Sequence, residues 1–164
     1  MSNQIWIGLG SNLGNSREYL NQAVTLIGDR FAMKIRASSL YRSEPVEVTL
    51  QPWFFNQVIC GVGAESIGPR RALQLLKEIE LELGRTPTFR YGPRIIDLDL
   101  LFFNDWVLET ADLVIPHPKI PERSFVLMPL VELDPNLIHP RLGRSVASLL
   151  ADNPHLSRCK KLKR

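Results

Sequence analysis

Apolar and polar positions follow two periods along the 164-residue chain, and the switches between them mark its elements. Gln4 to Gly10 (QIWIGLG) is a short apolar run ending in glycine, the pattern of a buried strand. Leu20, Ala23, Val24 and Ile27 then recur at helical spacing behind Asn15 or Ser16 as cap, with Gly28 near the stop. From Met33 to Arg42, Ile35, Ala37, Ser39 and Tyr41 alternate roughly with polar neighbours, which predicts a half-exposed strand. Phe54 to Val62 (FFNQVICGV) reads as another strand. Pro69 opens a helix to Leu83, with Ala72, Leu75, Leu76, Ile79 and Leu83 on one face. Gly84 to Arg94 (GRTPTFRYGPR) has no period and four glycines or prolines, so it reads as a mobile loop. Ile95 to Phe103 returns to an apolar strand broken by two acids, and Asn104-Asp105 predicts a hairpin turn into Trp106–Glu109. Beyond Pro116 the chain is proline-rich, with helices expected over Arg123–Leu133 and near Ser145–Ala151.

This order predicts an α+β protein: a ferredoxin-like βαββαβ core, a mostly antiparallel sheet with helices packed on it, and a C-terminal helical appendage. Such a fold licenses no function, because RNA-binding modules, acyl-phosphate hydrolases and small-ligand domains share it. Residues 1–157 read as one domain and 158–164 as a short basic tail. With 45% hydrophobic residues the chain is not disordered. Cys60 and Cys159 have no metal or disulfide spacing. No apolar run approaches the roughly 18–20 residues of a membrane helix. The start lacks a signal-peptide pattern, so a cytoplasmic protein with no membrane contact is expected. The net charge of +3 falls to −2 once Arg158, Lys160, Lys161, Lys163 and Arg164 are set aside. The charge therefore describes a solvated, frayed tail better than a nucleic-acid surface.

The chemistry concentrates in Ile96-Asp97-Leu98-Asp99-Leu100. On a strand Asp97 and Asp99 project from one face, with Ile96, Leu98 and Leu100 on the other. Adjacent carboxylates repel unless a cation lies between them, and Mg²⁺ commonly takes one or two carboxylates plus phosphate oxygens. The bland alternative is a polar outer strand face, against which the apolar flanks argue. Arg85, Arg90 and Arg94 lie just upstream on glycine-proline backbone, without obvious acidic partners. Arginine forks match phosphate oxygens, and a loop carrying them can close over a polyphosphate. Gly8-Leu9-Gly10-Ser11-Asn12-Leu13-Gly14 is neither GxGxxG nor a P-loop, and a tight strand-to-helix turn explains it equally well. His117, held between Pro116 and Pro118, could meet a phosphate or simply make a turn; His139 and His155 read as loop residues. Asn56, inside an aromatic strand with Phe54, could read a heterocycle edge or face outward at a sheet edge.

The run Arg90-Tyr91-Gly92-Pro93-Arg94-Ile95-Ile96-Asp97-Leu98-Asp99-Leu100-Leu101 strongly resembles the 6-hydroxymethyl-7,8-dihydropterin pyrophosphokinases of folate biosynthesis. The likeness extends over nearly the whole chain. It includes Gly10-Ser11-Asn12-Leu13, Ser38-Ser39-Leu40-Tyr41-Arg42, Phe54-Phe55-Asn56, Ile79-Glu80, Gly84-Arg85, Pro116-His117 and Arg123 to Leu130. The resemblance implies transfer of pyrophosphate from ATP to the pterin hydroxymethyl group, giving AMP. It implies that Asp97 and Asp99 hold two Mg²⁺ ions. Arg85 and Arg94 would act at the phosphates, with Arg123 and His117 completing the clamp. Lys77, Glu80, Tyr91 and Leu100 would fall on the ATP side. Ser43, Val46, Phe54, Asn56 and Phe125 would form the pterin side. It implies a monomer acting on small molecules, not nucleic acid. Three features depart from the family pattern: Tyr91 replaces a frequent tryptophan, Asp112 an arginine found in some members, and the loop after Arg85 is one residue short and lacks a further arginine.

Two rivals come from the same residues. An RNA-binding module would use Trp53, Phe54, Phe55 and the basic tail, but the RNP pattern is absent. A metal-dependent phosphohydrolase would use the two carboxylates and leave Asn56 and Phe54 without a purpose.

Overall fold

Two long strands carry the sheet in the computed structural model, which describes residues 2–162. β1 (Asn3–Ser11) pairs antiparallel on one side with β4 (Phe54–Gly63) and on the other with β5 (Asp97–Phe103). Helices α1 (Ser16–Arg30) and α2 (Pro69–Glu82) cover one face. Their stripes, including Leu20, Ala23, Ile27, Leu75, Leu76 and Ile79, pack on Ile5, Ile7, Leu9, Ile59, Leu98 and Leu100. The Asn15 carboxamide oxygen caps α1 by accepting the Glu18 N–H at 3.3 Å. The helix runs through Gly28 to Arg30, and Ala32 at φ 48° turns the chain instead.

The opposite face is covered only at one end. Trp6, Val58, Cys60, Leu101 and Phe102 pack there under α3 (Ser124–Leu133) and α4 (Val146–Ala151). A bulge makes this possible. Ile7 pairs with Leu100 and Trp6 with Phe102, so Leu101 is extra, and Leu101 and Phe102 both join this second core.

The fold is thus α+β with a mostly antiparallel sheet. Its path is β10-β3-β4-β1-β5, with β3 at Tyr41–Ser43, β10 at Cys159–Lys161, and β2 (Arg36–Ala37) also beside β4. Four expectations change. The Met33–Arg42 strand is broken into β2 and β3. Ser38 interrupts it: its N–H donates to Val58 O at 2.9 Å, and its Oγ accepts the Val58 N–H at 3.0 Å. The chain does turn at Asn104, but β6 (Leu108–Glu109) pairs with β7 (Val114–Ile115) and not with β5. Asn104 exchanges two hydrogen bonds of 2.8 Å with Gln4, which anchors the turn to β1 and sends the chain out of the sheet. Residues 159–161 of the basic tail are an ordered edge strand on β3, so this part is not frayed. Lys163 and Arg164 lie outside the described residues. The small pair β8 (Ile138–His139) and β9 (Arg144–Ser145) precedes α4. It holds His139, which is buried edge-on against Phe102 and is not a loop residue.

Candidate active site

The uncovered end of the second face is a cleft whose floor is β1. Gly10 pairs with Asn56 on one side and Asp97 on the other; Gly8 pairs with Val58 and Asp99. All six residues line one cavity of about 260 Å³. Gly8 and Gly10 lie inside β1, in the strand the apolar run predicts, and share its cleft face, while the tight strand-to-helix turn falls at residues 12–15 before α1. A Cβ on Gly10 would stand 3.3 Å from Asn56 Oδ1. Without it, the space between Asn56 and Asp97, about two strand spacings or roughly 10 Å, stays open. Sequence reasoning missed this role; the signal was the period-2 Gly8-x-Gly10 beside Asp97-x-Asp99.

Asp97 and Asp99 do share this face. Asp97 Oδ1 accepts from Arg85 Nη1 at 3.0 Å and Asp97 Oδ2 from Arg94 Nη1 at 3.2 Å. The expectation that the loop arginines lack acidic partners is therefore wrong for these two. Arg90 instead lies over the Tyr91 ring, 5.0 Å from its centroid. Asp99 has weaker company: His117 Nε2 and Arg123 Nη1 each stand 3.9 Å away. Burial and the neighbouring charge of Asp97 push the Asp99 carboxyl up to about 7. His117 Nδ1 accepts the Lys119 N–H at 3.1 Å, which leaves Nε2 to carry the proton toward Asp99. Burial, aided by Arg123, lowers the His117 pKa to about 4, so the ring is a neutral donor at pH 7.

Glu80 reaches this site from below. It is buried on α2, and its Oε2 accepts the Leu98 N–H at 2.9 Å and pairs with Arg85. Burial raises its pKa, while Leu98 and Arg85 oppose the rise. Lys77, Glu80, Arg85, Phe89 and Tyr91 line an open depression that continues the cleft past Asp97 and Asp99. Leu100 points to the other face, into the core under the helices, so its side chain does not reach the cleft. Asp112 is in the β6–β7 turn, paired with Arg70 at 2.7 Å.

The other end is aromatic. Phe54, Asn56, Ser43, Val46 and Phe125 line it together. Asn56 Nδ2 donates to Ser43 Oγ at 2.6 Å, and both residues are buried. Arg94 lies over the Phe54 ring and Arg123 over Phe125, at 5.9 and 5.6 Å from the centroids. Two further residues escaped sequence reasoning. Asn12 Oδ1 accepts the Arg94 N–H at 2.9 Å, and Asn12 Nδ2 donates to Gln51 Oε1 at 2.9 Å. Gln51 Nε2 donates in turn to Tyr91 O at 2.8 Å. These bonds tie together the three loops around the mouth. Nothing in local periodicity marks such amides.

A flat aromatic slot with an amide at one end, and paired carboxylates ringed by arginines at the other, is the layout of a site that joins a planar heterocycle to a polyphosphate. The chain belongs to the 7,8-dihydro-6-hydroxymethylpterin-pyrophosphokinase (HPPK) family, whose model matches residues 6–135. It is 43% identical over 134 residues to the 2-amino-4-hydroxy-6-hydroxymethyldihydropteridine pyrophosphokinase of Bacillus subtilis, covering 81% of this chain and 79% of that one. It is 41% identical over 144 residues to the folic acid synthesis protein fol1 of Pneumocystis carinii, covering 88% of this chain but only 19% of that longer protein. Among solved structures, an HPPK-DHPS in complex with substrates superposes with a TM-score of 0.77 at 14% identity, over 99% of this chain and 47% of that one. A Plasmodium falciparum HPPK-DHPS with pterin and p-hydroxybenzoate gives 0.76 at 17% identity, over 98% and 47%. The chain spans about half the length of these solved proteins, and they share its fold.

Proposed function

We propose that this chain transfers pyrophosphate from ATP to the hydroxymethyl group of 6-hydroxymethyl-7,8-dihydropterin, giving AMP and the pterin diphosphate, a step of folate biosynthesis. One observation carries the reading: Asn56, Gly10 and Asp97 form a single row across three strands, so one floor serves both a heterocycle and a polyphosphate. The pterin edge would meet Asn56 and Ser43, its ring Phe54 and Phe125, with Val46 at the rim. The phosphates would meet Arg85, Arg94, Arg123 and His117. The nucleotide would extend over Lys77, Glu80, Tyr91 and the backbone at Leu100. The domain would run over residues 1–157 into the basic end, and act as a cytosolic monomer, since one chain supplies every wall of the cleft.

The donor set suits Mg²⁺. Two hard carboxylates stand side by side, and burial together with the charge of Asp97 holds Asp99 up to about 7 despite Arg123 and Arg94. Among the described residues no cluster of three ligating side chains exists, as expected where phosphate and water complete the shell. Two Mg²⁺ ions at Asp97 and Asp99 would neutralise the triphosphate charge. Arg85 and Arg94 now sit on Asp97, so an arriving polyphosphate offers them a second, more highly charged partner. Exchange from carboxylate to phosphate would free Asp97 and close the loop in one movement. Neutral His117 would donate through Nε2–H and Arg123 through its fork. The hydroxymethyl O–H would release its proton to solvent as its oxygen bonds the β-phosphorus, and the bond from that phosphorus to the α–β bridging oxygen would break, that oxygen leaving on AMP. Positioning and charge neutralisation supply the rate.

Chromatography or phosphorus NMR of a mixture with ATP, pterin and Mg²⁺ tests this. AMP and pterin diphosphate form in equal amounts. ADP with a pterin monophosphate would refute the reading, and free phosphate without a pterin product would favour a hydrolase.

A further inference from the structure

β3 has three residues, yet it carries Ser43, the hydrogen-bond partner of Asn56. A strand this short gains little from one neighbour. β10 supplies the second. Cys159 pairs with Ser43, Lys160 with Arg42 and Lys161 with Tyr41. The ladder continues at both ends: the Glu44 N–H donates to Arg158 O at 3.0 Å, and the Leu162 N–H to Leu40 O at 2.9 Å. Cys159 is buried beside Ser43, whereas Lys160 faces solvent with Arg42. The same segment is tied to α3, the opposite wall. Ser124 Oγ donates to His155 O at 3.1 Å, and Lys161 Nζ stands 3.8 Å from Glu132. His155 and Arg158 themselves line the cavity beside Glu44 and Phe125.

We propose that β10 is a positioning element of the heterocycle end of the cleft. It staples the wall holding Ser43 and Asn56 to the wall holding Phe125, and it holds β3 through backbone pairing and not through the outward charge of Lys160. This rests on the pterin reading given above and extends it to a segment outside the residues matched by the family model. Asn56 can present one amide orientation to a ring only while Ser43 holds it. Ser43 stays in place only while β3 is an inner strand. Without β10, β3 becomes a frayed edge, and the slot between Asn56 and Phe125 widens. The phosphate end is built on β1, β5 and α2 and shares no pairing with β10.

Four chains test this: wild type, a chain ending at residue 157, Lys160→Pro, and Lys160→Thr, which keeps strand propensity and removes a solvent-facing charge. Binding of 6-hydroxymethyl-7,8-dihydropterin is titrated in the presence of a non-hydrolysable ATP analogue and Mg²⁺. Affinity for the analogue alone and amide exchange at Ser43 and Glu44 are measured alongside. Truncation and Lys160→Pro weaken pterin binding about tenfold or more, leave analogue affinity within about twofold, and lose protection at Ser43 and Glu44. Lys160→Thr behaves as wild type. If truncation prevents folding, Lys160→Pro decides alone. Unchanged pterin affinity in the broken strands, an equal loss for both ligands, or a loss in Lys160→Thr overturns the proposal. A wild type that binds pterin but forms no pterin diphosphate overturns the proposed reaction and leaves this inference standing.

Discussion

The two faces of this sheet use the same strands for opposite ends. On the face under α1 and α2, Ile5, Ile7, Leu9, Ile59, Leu98 and Leu100 form one unbroken apolar surface. On the other, β5 begins with Asp97 and Asp99 over an open cleft and ends, past its bulge, with Leu101 and Phe102 sealed under α3 and α4. One face supplies stability over its full width. The other supplies it only where the helices lie, and leaves its remaining half polar and under electrostatic stress. The bulge is the boundary between the two uses.

The comparison breaks most visibly at the carboxylates. Asp97→Ala or Asp99→Ala lowers turnover by about 10³-fold or more at saturating Mg²⁺, because the triphosphate loses its counter-charge, while circular dichroism shows an intact fold. Near-normal turnover would remove the acid pair from the reaction. The reverse pattern holds across the sheet. Leu76→Ala, fully buried under the first face, costs about 3 kcal/mol in urea unfolding, yet activity per folded molecule is unchanged.

How readable each face was follows from the length scale of its signal. The helix-packed face announced itself in local periodicity, as with Ala72, Leu75, Leu76 and Ile79 on α2, so elements and antiparallel α+β class could be read from the sequence. The acid pair was legible for the same reason, since two same-face aspartates inside IIDLDLLFF need only a strand. What stayed hidden depends on pairing between distant segments. Gly10 becomes a floor only when Asn56 and Asp97 flank it. Ser38 breaks a strand only because Val58 lies opposite. The arginine loop seemed unpartnered because Glu80 and Asp97 lie 5 and 12 residues from Arg85 in the chain, and meet it only when α2 and β5 pack together.

The floor itself can be sharpened with one methyl group. Gly10→Ala puts a Cβ 3.3 Å from Asn56 Oδ1, and the amide must give way. Pterin affinity falls about tenfold while stability changes by less than about 1 kcal/mol. Gly8→Ala is the control: its Cβ meets Leu101 at 3.4 Å, an ordinary contact, and both affinities stay near wild type. Isothermal titration of both variants checks the pair, and equal losses would mean that the floor is not specific to the Asn56 row.

The smallest effect concerns the stress on the open face. Asp99 holds its proton to about 7 in the folded protein against 3.8 as an isolated group, first through burial and then through Asp97. A carboxyl with a raised pKa in the fold costs nothing while both states are protonated, and it disfavours the fold once the unfolded state ionises. Relative to high pH, its contribution is full below the unfolded value and is lost as pH climbs from about 4 through 7. In the metal-free, ligand-free protein, stability should therefore fall over that interval by an amount Asp99→Asn removes. The side chain is about a third exposed, so solvent screening reduces the effect to roughly 1 kcal/mol at pH 8. Melting curves in chelator at pH 5 and pH 8 read it directly. Asp99→Asn melts higher than wild type at pH 8 and level with it at pH 5, while being inactive. A variant less stable than wild type at pH 8 would show that Arg123 and His117 already compensate the charge, and that the cleft carries no stress for a cation to relieve.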